Sequence, residues 1–284
     1  MPVVIVTDST ASLPPELAAE RGIVVVPLQV VIGATVYDEG AAGATPDMVA
    51  AALREWKPVS TSRPSPAALL EVYEKAARDG ATEIVSIHLS GEMSGTYESA
   101  QLAARDASAR VVPIDTRQVG VATGYAVLAA ADVLDSGGSA DEAAAAARAR
   151  AAATSSLFYV DTLEYLRRGG RIGAAAALFG GALAVKPLLQ IKDGTVASLE
   201  RVRTSARALG RLEELAVQAA GEQQVDVSVA HLASQERAGL LAGRLAQRLE
   251  ANLAGREVWC GELGAVLGAH VGPGMIAVCV APRA

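Results

Sequence analysis

The chain opens on Val3-Val4-Ile5-Val6, an unbroken apolar run that stops at Thr7-Asp8-Ser9-Thr10. A run without polar alternation predicts a strand covered on both faces, as in a parallel sheet under helices. Ser12 followed by Pro14 and Pro15 predicts a helix start, and Gly22 after Arg21 predicts its end. Ile23–Val26 and, beyond Pro27, Val30–Ile32 read as strands, so residues 3–32 hold a β-α-β unit. Thr45-Pro46-Asp47 repeats the helix-start signature for residues 45–56, and Val59–Pro64 reads as a polar link. Ser65-Pro66 opens a helix with Leu69, Leu70, Tyr73, Ala76 and Ala77 on one side, closed at Gly80. Ile84–Ile87 and Val111–Ile114 follow as strands, the first leading through Ser94-Gly95 into a helix that reaches Ala104. Residues 120–134 and 140–153 read as helices divided by Ser136–Ser139, their alanines a matter of helix propensity.

Beyond Leu157 the texture changes. Leu157–Val160 reads as a strand and Leu163–Leu166 as a short helix. Lys186–Ile191, a turn at Asp193-Gly194 and Thr195–Val202 read as an antiparallel hairpin. Helices over 204–220 and 234–252 flank a strand at Val225–Ala230, and Arg256–Cys260 and Met275–Val280 are the last strands. Parallel β-α-β texture followed by hairpin texture predicts an α/β protein of two domains. An α/β/α parallel-sheet domain is expected over 1–155 and a mixed-sheet α/β domain over 156–284, with a ligand site at their junction.

Composition narrows the classes. At 284 residues, 51% hydrophobic and 20% charged, the chain resembles a packed globular protein rather than a disordered one. Two Phe and two Trp leave the core to Ala, Val and Leu. Residues 172–191 come closest to a membrane span, but Gly173, Gly180, Gly181, Lys186 and Pro187 interrupt them, and no signal peptide is predicted. A net charge of −6 advertises no nucleic-acid face. Cys260 and Cys279, far apart and outside any CxxC, read as small core hydrophobes in a reducing compartment, so a cytoplasmic protein is expected. His88, His231 and His270 are too scattered for a local zinc pattern.

In an open parallel sheet, ligands collect beyond the carboxyl ends of the strands. Three such ends are dense in polar residues: Thr7–Thr10, His88–Thr96 and Asp115–Arg117. Ser94, before a helix, is either a plain N-cap or a hydroxyl presented with free amides to a carboxylate or phosphate. Thr61 and Ser62 carry the same two readings. Asp8 is a base, a metal ligand or an Asx cap, and the lack of a second carboxylate at defined spacing favours the cap. Glu92 lies in the same loop as Ser94, after the strand at Ile84–Ile87. Ser94 as a nucleophile lacks an identifiable base in His88 and lacks the G-x-S-x-G setting. Arg167, Arg168 and Arg171 around Gly169-Gly170 are either anion ligands or a solvated basic edge, and they match neither the dinucleotide nor the Walker pattern. In Gly268–Gly274, glycines and Pro273 predict a tight loop holding His270, for a ligand contact or a structural hydrogen bond.

Taken in order, these motifs resemble the DegV family over essentially the whole chain. Thr7-Asp8-Ser9-Thr10 with Leu13-Pro14, Ser60-Thr61-Ser62 with Pro64-Ser65, and Ser90 with Met93–Ala100 carry the first half. Tyr165–Ile172, Val185-Lys186-Pro187, Arg201–Thr204 and His270–Gly274 carry the second. The resemblance implies two α/β domains and a bound long-chain fatty acid. It implies a carrier without catalysis of its own or a cofactor, partnered by a separate fatty acid kinase that phosphorylates the carboxylate for phospholipid synthesis. By motif position Thr61 and Ser94 would hold the carboxylate, with Arg171 and His270 near the head group or facing the partner. The sequence differs from the usual pattern at Gly91, where a second serine is common, and across Asp115–Gly124. The aliphatic composition suits an apolar tunnel for the tail. The rival readings are a stand-alone phosphotransferase or hydrolase on a small hydroxylated substrate, and a regulatory module with a structural lipid.

Overall fold

The computed structural model describes residues 2–40, 44–178 and 186–283. In chain order its strands are β1 (Val3–Asp8), β2 (Val24–Val26), β3 (Gln29–Ile32), β4 (Thr35–Asp38), β5 (Val59–Ser62), β6 (Glu83–His88), β7 (Arg110–Asp115), β8 (Ser155–Tyr159), β9 (Lys186–Lys192), β10 (Thr195–Val202), β11 (Val225–His231), β12 (Trp259–Glu262) and β13 (Ile276–Pro282). Contacts group the chain into two units: Met1–Gln29 with Ser62–Ala152, and Val30–Thr61 with Ala153–Ala284.

The first unit is built on a four-stranded, all-parallel sheet in the order β2-β1-β6-β7. Successive residues of an apolar strand face opposite sides, and both sides here are covered. Ile5, Val85, Ile87 and Ile114 pack on the helices Val121–Asp135 and Ala140–Ala153. Val6 and Ile84 pack on the helices Pro66–Arg78 and Thr96–Asp106. The alanine-rich helix buries Ala140, Ala143, Ala144, Ala147 and Ala151, an i, i+3, i+4, i+7 stripe made of the smallest side chain. From β1 the chain steps to one side for β2 and to the other for β6 and β7. The topological switch therefore lies between β1 and β6, where Asp8 and His88 end their strands.

The second unit carries a six-stranded sheet in the order β10-β9-β8-β13-β11-β12, in which only β11 and β12 run parallel. Leu157, Leu188, Val227, Val229, Ile276 and Val278 form its core with Leu209 and Leu212 of the helix Ser205–Ala220 and Leu241 and Leu245 of the helix Gln235–Arg248. The expected hairpin is present, turning through Asp193 and Gly194 at positive φ. A three-stranded sheet, β4-β3-β5, completes the described strands.

Several expectations need correction. A single cut at 155 would leave residues 30–61 in the first unit, but they group with the second. They do so because β3, β4 and β5 pair with one another and the helix Pro46–Arg54 packs on the helix Ala265–Val271. The expected polar link at Val59–Pro64 contains β5, whose only apolar residue is Val59. Pairing with β3, not propensity, makes it a strand. The Gly268–Gly274 loop is helical through Val271, with the tight turn confined to Gly272 and Gly274 at positive φ. The helix expected over 234–252 breaks at Leu249. Cys260 is exposed on the edge strand β12, so of the two cysteines only Cys279 is a core residue. Gly180, Gly181 and Val185 lie outside the described residues. Among the described residues no helix is long and apolar enough to cross a membrane.

Candidate functional site

In the first unit, the switch point is organised by Asp8. Its Oδ1 accepts from Thr10 N–H at 3.1 Å and from the Thr10 hydroxyl at 2.5 Å. Its Oδ2 meets His88 Nδ1 at 2.9 Å and accepts from Leu89 N–H at 3.1 Å. His88 Nε2 meets Ser86 Oγ at 2.7 Å, and Ser86 Oγ meets the Tyr73 hydroxyl at 2.7 Å. All four residues, Asp8, Ser86, His88 and Tyr73, are sealed from solvent. Burial, offset by the Ser86 bond, pushes the Tyr73 phenol up to about 12, so it stays a donor. The cap reading of Asp8 thus describes the geometry. The Ser–His–Asp contact order looks like a nucleophilic triad, but Ser86 has no access to a substrate.

Ser94 lies at the end of the loop that leaves β6. Its amide and that of Met93 donate to Ser90 O at 3.1 Å, while Gly91 N–H donates to Asp115 Oδ1 at 3.1 Å. The N-cap of the helix Thr96–Asp106 is Gly95, not Ser94. The Ser94 hydroxyl sits 2.9 Å from the Thr96 hydroxyl and 3.4 Å from the Thr96 amide, at the helix mouth. The sequence alone does not point to Arg63, whose guanidinium donates to Gly95 O and to Glu98, each at 2.9 Å. A Cβ on Gly95 would fall 1.5 Å from Arg63 Nη1, so the glycine makes room for the guanidinium.

In the second unit, β5 alternates, with Val59 and Thr61 half-buried and Ser60 and Ser62 exposed. That period of two points Thr61 inward, where its hydroxyl lies 2.8 Å from Nε2 of His270. His270 occupies the last turn of the helix Ala265–Val271, whose start is held by Val266 N–H donating to Glu39 Oε1 at 2.8 Å. The other ring nitrogen, Nδ1, is buried without a hydrogen-bond partner among the described residues. It lies against Gly169, where a Cβ would come within 2.2 Å. Arg171 closes the cluster by donating to Gly169 O at 2.6 Å. Burial first, and the Arg171 charge second, push the His270 imidazole down to about 4, so it is neutral at pH 7. Gly272 and Gly274 serve two purposes: both take positive φ, and a Cβ on them would strike Tyr165 and Asp161, each at 1.9 Å. Of the four predicted residues, Thr61, Arg171 and His270 come together in one unit, and Ser94 belongs to the other.

A cavity of about 270 Å³ adjoins this cluster, lined among others by Trp56, Tyr165, Arg168, Gly169 and Ala269. Trp56 is exposed, with the Arg168 guanidinium 4.5 Å from its ring centroid. Glu164 binds both Arg167 and Arg168, and those bonds pull its carboxyl down to about 2. Among the described residues no three His, Cys, Asp or Glu side chains are grouped to hold a metal ion. A hydroxyl, a neutral imidazole and a guanidinium converging on one partly buried spot can hydrogen-bond and neutralise a single oxyanion.

Fold and cluster together define a two-unit α/β protein with a polar spot suited to an acid. The chain belongs to the DegV family: the family model, described as the DegV family of uncharacterised proteins, matches residues 2–283. It is 52% identical over 281 residues to a DegV domain-containing protein of Streptomyces coelicolor, covering 99% of each chain. Among solved structures it is similar to a DegV family protein of Thermus thermophilus described by its fatty acid binding, with a TM-score of 0.90, 32% identity and 100% of both chains covered. DegV of Bacillus subtilis, described as a fatty acid binding protein, matches with a TM-score of 0.90 at 29% identity, again over 100% of both chains.

Proposed function

We propose that this protein binds a long-chain fatty acid and presents its carboxylate to a separate fatty acid kinase in the cytoplasm, feeding phospholipid synthesis without catalysis of its own. The observation that carries the reading is the convergence of Thr61, His270 and Arg171 on one partly buried spot. The fatty acid binding described for the Thermus thermophilus and Bacillus subtilis proteins supports it. Thr61 donates to the carboxylate, Arg171 neutralises it, and the neutral His270 lies beside it. Ser94 keeps the carboxylate role that its motif implies. Removing a tail of roughly sixteen carbons from water contributes on the order of 10 kcal/mol before association costs, so the tail supplies affinity and the head group supplies register. A buried carboxylate without partners is costly, which is why a hydroxyl and a guanidinium belong at the head-group end.

Native mass spectrometry of the purified chain, followed by mass analysis of its organic extract, tests the reading. One long-chain fatty acid per chain is the expected result. A protein that arrives empty and takes up none of the C14 to C18 acids would overturn it and favour a phosphotransferase or hydrolase acting alone.

A further inference from the structure

We infer that His88 is a positioning residue for the Ser94 loop, acting through Asp8 by way of its Nδ1 and not through its Nε2. This rests on the reading that Ser94 contacts the fatty acid. Asp8 and His88 are 80 residues apart in sequence and meet because β1 and β6 pair in register at the switch point. The hydrogens in their network have one consistent arrangement. Asp8 receives the Thr10 amide, the Thr10 hydroxyl and the Leu89 amide, three donors that call for a carboxylate. His88 Nδ1, facing the same carboxylate, therefore carries the ring proton. With the ring proton on Nδ1, Nε2 accepts from Ser86 O–H and Ser86 accepts from Tyr73 O–H, the arrangement that leaves neither hydroxyl proton unmatched. Every buried donor is matched along one direction, from Tyr73 to Asp8.

The consequence reaches Ser94 through the backbone. The Leu89 amide, first in the loop, is tied to Asp8 Oδ2, and the His88 carbonyl accepts from Thr116 N–H and from the Thr116 hydroxyl. Next, Ser90 N–H donates to Gln118 O, and the amides of Met93 and Ser94 donate back to Ser90 O. The loop is thus fixed link by link from Leu89 to Ser94, with the oriented Asp8 carboxylate as its first anchor. His88 holds that carboxylate in the rotamer that reaches Leu89. The Nε2 side, toward Ser86 and Tyr73, seals the core and touches no part of the loop.

The two halves of the ring can be separated. Asparagine places an amide where Nδ1 was, and glutamine places one where Nε2 was. We expect His88→Asn to bind palmitate within about threefold of wild type and His88→Gln to bind at least about tenfold more weakly, a loss of roughly 1.4 kcal/mol. Both lower the melting temperature, and Tyr73→Phe lowers it while leaving palmitate affinity unchanged. Equal affinity in the two His88 variants, or affinity that follows melting temperature across all three, would overturn the inference. Should neither His88 variant fold, amide exchange in the unliganded wild type decides. Leu89 and Ser94 must then exchange as slowly as Ile87, and exchange about a thousandfold faster would sink the inference. A wild type that binds no palmitate defeats the fatty acid reading itself, and is told apart from failure here by the absence of any reference affinity.

Discussion

The two units each hold a histidine in a polar network, and the two networks are finished to different degrees. Around His88 both ring nitrogens are partnered, four side chains are sealed from water, and the carboxylate of Asp8 is saturated with donors. Around His270 one nitrogen meets Thr61 while the other is buried with no partner among the described residues, beside a cation. An unmatched buried polar atom costs about 1–3 kcal/mol, so a fold tolerates it where something else is gained. The matched network holds a backbone in place; the unmatched one leaves a ring nitrogen open, which is where the proposed head group would bring its charge. Burial together with satisfaction, rather than residue type alone, sets the two histidines apart.

The largest test of that contrast is Asp8→Ala. It strands His88, Leu89 and Thr10 as buried donors, and we expect a loss of about 3–5 kcal/mol in urea unfolding. A loss below about 1 kcal/mol would show that the network is not the rigid partner of the pair.

Next in size is pH. The His270 pKa falls from 6.5 to about 4 on folding. Its contribution to stability is therefore complete above the unfolded value of 6.5 and is lost as pH falls towards 4, because the unfolded chain takes up the proton first. Across that window the loss is about 3 kcal/mol, to be read as the difference in unfolding free energy between the wild type and His270→Asn at each pH. Parallel curves for the two proteins would place the acid sensitivity elsewhere.

The smallest effect on the free protein is expected from Thr61→Ala. Thr61 is half-buried and its hydroxyl partners His270 Nε2, so its loss costs about 1–2 kcal/mol without ligand. The same change should remove most of the melting shift produced by added fatty acid, and a full shift would detach Thr61 from the head group.

How much of this was legible in the sequence follows the same division. The strands β1, β6 and β7, the hairpin β9–β10 and the helix cap at Thr45 were readable because they are local: apolar runs, a turn dipeptide, a hydroxyl before Pro46. Strand β5 was not, since Ser60, Thr61 and Ser62 carry no strand signal and only pairing with β3 defines them. The motif residues Thr61, Arg171 and His270 could be chosen from the sequence. Their meeting depends on Gly169, whose lack of a side chain admits the imidazole. Asp8 was legible as a cap, but His88 as its partner was not, because strand register alone brings them together. Arg63 left its signal in the glycine at position 95, legible only once the guanidinium is seen resting on it.

The most direct measurement is nuclear magnetic resonance of a fatty acid labelled with carbon-13 at its carboxyl, bound to the wild type and to Thr61→Ala. If Thr61 and Arg171 receive the head group, the bound resonance holds a constant shift from about pH 5 to about pH 8 as an ionised acid, and it moves in the Thr61 variant. A resonance that titrates like a free acid, or one identical in both proteins, would contradict the account.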